Sequence, residues 1–222
     1  MLDTRLHNRC VSDWRVLYAD ETLVAADKPA GLLAVPGRGE AKQDCLWARV
    51  RAEVPDALVV HRLDMATSGV MVFARGLAAQ RALSRTFETR RVAKRYEAIV
   101  IGLVDGEGGE IDLPLAADWP ARPRQRVDRE RGRASLTRWR VLARDAVQCT
   151  TRLALEPVTG RSHQLRVHLA ALGHPIVGDA LYAPPCPESY PAAPRLMLHA
   201  CALDLPHPAD GRMLALASAP PF

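Results

Sequence analysis

The chain has 222 residues, 48% hydrophobic and 25% charged, the balance of an ordinary soluble globular protein with enough length to bury a proper core. No apolar run reaches the length of a membrane-spanning helix and Met1–Arg9 carries no signal-peptide core, so residence in the cytoplasm and no membrane partner are expected. A net charge of +5 leans towards a polyanionic partner, while the scattered cysteines (Cys10, Cys45, Cys149, Cys186, Cys201) form no C-x-x-C pair and suggest neither a disulfide framework nor a zinc site.

Residues 1–14 read as a short N-terminal extension. Arg15–Ala26 predicts two strands, Val16-Leu17-Tyr18 and Leu23-Val24-Ala25-Ala26, about a polar turn at Asp20-Glu21. In the next turn, Lys28-Pro29-Ala30-Gly31, the proline biases Lys28 to an extended backbone and the glycine permits a sharp reversal. Leu46, Trp47, Val50 and Val54 have helical spacing and stop near Pro55. The stretch from His61 to Gly69 follows, with a strand-like run from Val70 to Ala74 behind it. Leu77, Leu83 and Phe87, interleaved with Arg81, Arg85 and Arg90, predict a second helix with a basic outer face.

Tyr96–Ile101 then reads as a strand closed by Gly102, with further β segments at Ile111–Leu115, Ser135–Leu142 and Thr150–Leu155. Ser162 suits the N-cap of a third helix, Leu165, Leu169 and Leu172 its buried face, and Gly173 its stop. Leu196–Leu205 and Met213–Ala217 are closing strands. Many strands with a few inserted helices, and no regular βαβ alternation, predict an α+β fold with a mixed, largely antiparallel sheet. With no repeat or linker, 15–222 reads as one domain.

Three stretches carry polar residues that build no core pattern. In His61-Arg62-Leu63-Asp64-Met65-Ala66-Thr67-Ser68-Gly69 an acid lies near an arginine before a Thr-Ser-Gly turn. On spacing alone it is either a carboxylate placed for chemistry at the head of a strand or a surface turn with a capping aspartate. Thr159-Gly160-Arg161-Ser162-His163-Gln164-Leu165-Arg166-Val167-His168 opens the third helix; His168 reads as a satisfied polar residue. Between Arg122 and Arg140 eight arginines (122, 124, 126, 129, 131, 133, 138, 140) face only Asp128 and Glu130, more charge than solubility needs. That favours phosphate contact, with Arg122, Arg124 and Arg126 as leading candidates. His199 and Cys201 share a strand face, but two ligands make no metal site. No G-x-G-x-x-G or G-x-x-x-x-G-K-[ST] pattern is present, so no nucleotide cofactor is expected.

These blocks, with Lys94-Arg95-Tyr96, Lys28-Pro29-Ala30-Gly31-Leu32, Asp112-Leu113-Pro114-Leu115, Asp118-Trp119-Pro120 and Gly173-His174-Pro175-Ile176-Val177-Gly178-Asp179, closely resemble the RluA-type pseudouridine synthases over nearly the whole chain from Arg15. H-R-L-D-x-x-T-S-G is the family's catalytic signature and G-R-x-H-Q-L-R-x-H its second. The resemblance implies a pseudouridine synthase fold without an S4 RNA-binding domain. It also implies a reaction without metal or cofactor: the glycosidic bond of a uridine breaks, the uracil rotates, and it rejoins the ribose through C5. By this resemblance Asp64 acts as nucleophile or base, Tyr96 stacks near the uracil and is a candidate to remove the C5 proton, and Arg166 pairs with Asp64. A neighbouring guanidinium would hold an aspartate ionised and oriented.

Arg62 would enter the space left by a flipped base, which must leave its stack to reach a pocket. His61, Arg161, His163 and Leu165 complete the expected substrate-binding set. The implied partner is RNA, namely 23S rRNA and the anticodon stem-loop of tRNA, and the implied state is a monomer. Two alternatives stay open: a catalytically silent RNA-binding module of the same fold, or a uridine glycosylase or hydrolase that would release free uracil.

Overall fold

The computed structural model describes residues 14–183 and 193–222. Cys10, Cys186 and all but the last residue of the 1–14 extension lie outside the described residues. The elements run, in chain order, β1 (Arg15–Ala19), β2 (Leu23–Lys28), α1 (Leu46–Glu53), β3 (Ala57–Val59), β4 (Ser68–Arg75), α2 (Gly76–Glu88), β5 (Ala93–Ile101), β6 (Gly108–Asp112), β7 (Leu115–Ala117), β8 (Gln125–Val127), β9 (Leu136–Asp145), β10 (Thr150–Pro157), α3 (Gln164–Ala171), β11 (Leu198–Pro206) and β12 (Met213–Ala217). The pairs β1·β2, β2·β4, β3·β4, β11·β12, β5·β10, β9·β10, β6·β9 and β7·β8 are all antiparallel, which fits the α+β architecture with a largely antiparallel sheet that was expected.

The chain divides into two compact units, one of residues up to Ala93 with Ala200–Pro221, the other of Lys94–His199 with Phe222. In the first, β1 pairs β2, β2 pairs β4, β3 also pairs β4, and β12 pairs β11. Every residue of β4 from Ser68 to Ala74 is buried, which is why its sequence reads as a continuous apolar run and does not alternate. Leu23, Val70, Val72, Leu83, Leu203, Leu205 and Leu216 form the core around it. Each such side chain contributes about 1.5–3 kcal/mol by leaving water.

α2 buries Ala79 and Leu83, and Phe87 packs on the same core. These three positions are spaced by four and share a face. Leu77, expected on that face, is 63% exposed, because six residues of helix before Leu83 carry it to the far side.

In the second unit β5 pairs β10, β10 pairs β9, and β9 pairs β6, while β7 and β8 form a separate two-stranded hairpin. The single β segment expected at Ile111–Leu115 is divided: β6 ends at Asp112 and β7 starts at Leu115, with Pro114, which has no N–H to donate, at the break. α3 is buried on almost every side, and Leu172, expected on its inner face, is 39% exposed at the C-cap. Gly173, at φ 91, ends the helix as expected: its N–H reaches the Ala170 carbonyl and that of His174 reaches Leu169, the Schellman pattern. Among the described residues no helix is long and apolar enough to cross a membrane.

Candidate active site

In the first unit the His61–Gly69 stretch bridges β3 and β4, and each end is fixed. The backbone N–H of Val72 donates to Nε2 of His61 at 3.0 Å, and the imidazole stacks on Phe87 with ring centroids 4.6 Å apart. His61 therefore braces the loop against β4 and α2. Leu63 points into the core, Arg62 is exposed and Asp64 half-buried. The Thr67 N–H closes a turn on the Asp64 carbonyl at 3.1 Å.

The next residue supplies the anchor. The Met65 carbonyl accepts from Gly31 N at 2.9 Å and from Lys28 Nζ at 3.0 Å. Lys28 is 0% exposed, and its ammonium also donates to the carbonyls of Pro29 (2.9 Å) and Leu32 (2.7 Å). A buried ammonium is tolerated only when its protons are satisfied, so this lysine staples the Lys28–Leu32 turn to the turn bearing Asp64. At the far end Gly69 has φ 115, and a Cβ there would lie 2.3 Å from the Ala200 carbonyl oxygen. Only glycine permits that approach.

In the second unit Tyr96 lies half-buried on β5 opposite Leu155 of β10. Lys94, two residues earlier, donates from Nζ to the Thr159 carbonyl at 3.0 Å and holds the loop that opens α3. Gln164 organises that loop from inside. Its Oε1 accepts from Thr159 Oγ1 (2.7 Å) and Arg161 N (3.0 Å), and its Nε2 donates to the Leu136 carbonyl at 3.0 Å.

The inward pull of Gln164 displaces the expected cap. The N-cap is His163, in the left-handed region at φ 54, and not Ser162. Arg161 donates from Nε to the Ala134 carbonyl at 3.3 Å, Leu165 is buried, and both nitrogens of His168 are engaged, with Thr137 Oγ1 at 2.9 Å and the Leu113 carbonyl at 3.0 Å.

Arg166, the third residue of α3, is buried and forms a fork-to-fork pair with Asp179: Nε to Oδ2 at 2.8 Å and Nη2 to Oδ1 at 2.7 Å. Its guanidinium also lies 5.1 Å from the centre of the Tyr182 ring. Tyr182 makes a 2.7 Å hydrogen bond to His163 Nδ1 and accepts one from Gln125 N of β8 at 2.8 Å.

The arginine-rich segment supplies part of the β7–β8 turn, strand β8 and the start of β9. Its eight arginines are exposed. Arg126 pairs with Asp128 and Arg138 with Glu110; among the described residues Arg122, Arg124, Arg129, Arg131, Arg133 and Arg140 have no carboxylate partner. Arg122 stacks over Trp119, 3.2 Å from the ring centre, and that indole is 68% exposed. Arg124 lies 5.5 Å from the Tyr182 ring.

The structure thus gathers His61, Arg62 and Asp64 on one braced loop of the first unit. It gathers Arg161, His163, Leu165, Arg166 and Arg124 about one helix start of the second. Sequence reasoning did not single out Lys28, Gln164, Asp179 or Tyr182 as organisers. For Asp179 the one signal was its place at the end of the Gly-His-Pro-Ile-Val-Gly-Asp block. Among the described residues no group of three or more His, Cys, Asp or Glu side chains is placed to hold a metal ion.

Comparison with known proteins fits this arrangement. The RNA pseudouridylate synthase family matches residues 22–171. The dual-specificity RNA pseudouridine synthase RluA of Vibrio cholerae is 52% identical over 193 residues, 87% of this chain and 77% of that protein. The protein of the same name from Salmonella typhi is 50% identical over 199 residues, 90% of each. Among solved structures, human RNA pseudouridylate synthase domain containing 1 superposes with a TM-score of 0.79 at 28% identity, covering 97% of this chain and 86% of that one. With both signatures present and the family match running through them, the chain belongs to the RluA-type branch of the RNA pseudouridylate synthase family, isomerases that convert uridine in RNA to pseudouridine.

Proposed function

We propose that this enzyme modifies uridines in two RNA settings, 23S rRNA and the anticodon stem-loop of tRNA, with Asp64 as its catalytic carboxylate. The observation that carries the assignment of Asp64 is the anchoring of its turn by the buried Lys28 ammonium at Met65. A carboxylate that must meet a reacting carbon is useful only on a backbone that does not drift, and a surface capping turn needs no buried cation beneath it. The dual specificity named in the relatives supports two RNA settings.

In this reading Asp64 acts as nucleophile or base, Tyr96 offers its ring face to the uracil, and Arg166 serves the reaction from the start of α3. Arg62 fills the space of the flipped uridine, and the exposed arginines of the β7–β8 hairpin hold the phosphates of the stem-loop. The reaction proceeds without metal or cofactor, on a monomer, in the cytoplasm.

The test is complementation of a strain lacking the gene, read by mapping pseudouridine in its 23S rRNA and tRNA. Wild-type protein restores the missing modifications in both and Asp64→Asn restores neither. Restoration by Asp64→Asn would overturn the assignment of Asp64, and restoration in one RNA class alone would overturn dual specificity.

A further inference from the structure

Tyr182 stands where the RNA-gripping and catalytic parts of the second unit meet. Its backbone is fixed first: the N–H groups of Leu181 and Tyr182 both donate to Asp179 Oδ1, at 2.9 and 3.2 Å. That is the same carboxylate oxygen that takes Nη2 of Arg166. Four donors therefore converge on one buried carboxylate, and any shift of Tyr182 is a shift against Arg166.

The side chain then reaches outward. The phenol oxygen accepts from Gln125 N on β8 and lies 2.7 Å from Nδ1 of His163, the left-handed residue that starts α3. Gln125 N–H donates to the phenol oxygen, and with the His163 proton on Nε2 the phenol O–H donates to Nδ1. The ring itself lies between two guanidinium groups, Arg166 at 5.1 Å and Arg124 at 5.5 Å from its centre.

The hairpin needs such a tie. β7 and β8 are three residues each, and a two-stranded ribbon of that length is marginal by itself. At its base Leu115 and Arg133 exchange backbone hydrogen bonds, while the Gln125 contact holds it further out, beside the exposed Trp119–Arg122 stack.

We infer that Tyr182 is a positioning residue that couples the hairpin's grip on RNA to the placement of His163 and Arg166, so that engagement of RNA by the hairpin raises the rate of the chemical step. This rests on the proposal that the hairpin arginines hold RNA. The hydrogen-bonded path from the hairpin through Tyr182 to His163 and the Arg166–Asp179 pair can carry a phosphate contact into catalytic geometry, where misplacement by about 1 Å costs roughly a hundredfold in rate.

The experiment is a double-mutant cycle between Tyr182→Phe and the hairpin pair Arg122→Gln/Arg126→Gln, using a stem-loop RNA with a target uridine. RNA affinity and the single-turnover rate at saturating RNA are measured for all four proteins, with thermal unfolding to show that each is folded. Tyr182→Phe keeps the ring and deletes the hydroxyl. The hairpin change should weaken affinity in both backgrounds and slow the saturated rate about tenfold in the wild type, but leave it unmoved once Tyr182 is Phe.

Multiplicative losses of rate in the combined variant, or a wild-type rate in Tyr182→Phe alone, would overturn the coupling with the hairpin's RNA grip intact. If the hairpin change left affinity unaltered in both backgrounds, the RNA-grip reading would fail and the coupling with it.

Discussion

Arg166 and Asp179 face each other through two parallel hydrogen bonds of 2.8 and 2.7 Å, with 6% and 0% of their side chains exposed. The guanidinium that the family signature assigns to catalysis is thus held from behind by a carboxylate thirteen residues along the chain. The backbone N–H groups of Leu181 and Tyr182 both donate to Oδ1, the oxygen that also takes Nη2, so four donors hold the carboxylate in place. Such a pair fixes direction: the planar fork leaves Arg166 one orientation.

Asp179→Asn removes the charge and turns half the fork into a donor facing a donor. Breaking one partner of a buried pair costs about 3–5 kcal/mol, so the variant should lose that much in urea unfolding. Its rate should fall further than its RNA affinity, because Arg166 is misplaced while the exposed arginines are untouched. A variant with wild-type stability would show that the pair contributes nothing to folding.

Lys28→Met tests the staple beneath the turn that bears Asp64. The methionine fills a similar volume but leaves the Pro29 and Leu32 carbonyls without the donor seen in the structure, while Met65 keeps Gly31 N. Loss of about 2–4 kcal/mol is expected, together with a drop in kcat at little changed KM, since the turn bearing Asp64 loosens and the exposed hairpin arginines do not. A rise in KM alone would count against the staple.

Gly69→Ala addresses the other end of that loop. A methyl at φ 115, 2.3 Å from the Ala200 oxygen, forces β4 and β11 apart at Gly69 and Ala200. Destabilisation of roughly 3 kcal/mol or more is expected, visible as a lowered Tm or loss of folded protein. Gly31→Ala is the control: its φ is also positive, at 85, but nothing lies within 4 Å of the added carbon, so its loss should be much smaller.

The parts of this fold legible in the sequence were those set by local rules. The unbroken apolar run of β4, the helical spacing of Leu46 and Val50, and Gly173 as a helix stop all express backbone geometry within a few residues. The misread details depend on distant partners. Ser162 has the chemistry of an N-cap, but Gln164 reaches Leu136 on β9 and Thr159 Oγ1, which starts the helix one residue later. β8 was hidden in the arginine run because its three residues include an exposed Arg126 and bury no apolar face. Asp64 and Arg166 stand out through the signatures in which they lie. Lys28 and Tyr182 act through backbone groups of Met65 and Gln125, which carry no side-chain signal that a sequence could display.

Stability should fall with acid in two separate windows. Burial holds the His168 imidazole below its ordinary value, against the opposing pull of the Leu113 carbonyl. The unfolded chain therefore binds a proton that the folded one refuses. Stability is fully present above about pH 6.5 and declines below it, at up to about 1.4 kcal/mol per pH unit, until the folded group also titrates. For Asp20, burial raises the pKa, but hydrogen bonds from Tyr18, His207 and the backbone of Thr22 and Leu23 outweigh it and keep the carboxyl well below the usual range. Its contribution is complete above about pH 5 and is lost as pH falls through about 4 and lower. In urea unfolding across this range, His168→Gln should flatten the upper decline and Asp20→Asn the lower. A variant whose curve keeps the wild-type shape rules out its assigned group.

The exposed hairpin arginines make a prediction about salt. Arg122 and Arg124 have no carboxylate partner among the described residues, and Arg126 has only its neighbour Asp128, so their charge is available to a phosphate chain. Each phosphate neutralised releases condensed counterions and adds roughly 0.7–0.9 to the slope of log affinity against log salt. Replacing all three with glutamine should therefore weaken RNA binding at low salt and make the slope shallower by about two. Binding should weaken alike for RNA with and without a target uridine, because phosphate contacts carry no base information. Weaker binding with an unchanged slope would mean that these side chains contact bases or support the Trp119 stack. Unchanged binding would remove the hairpin from the RNA interface altogether.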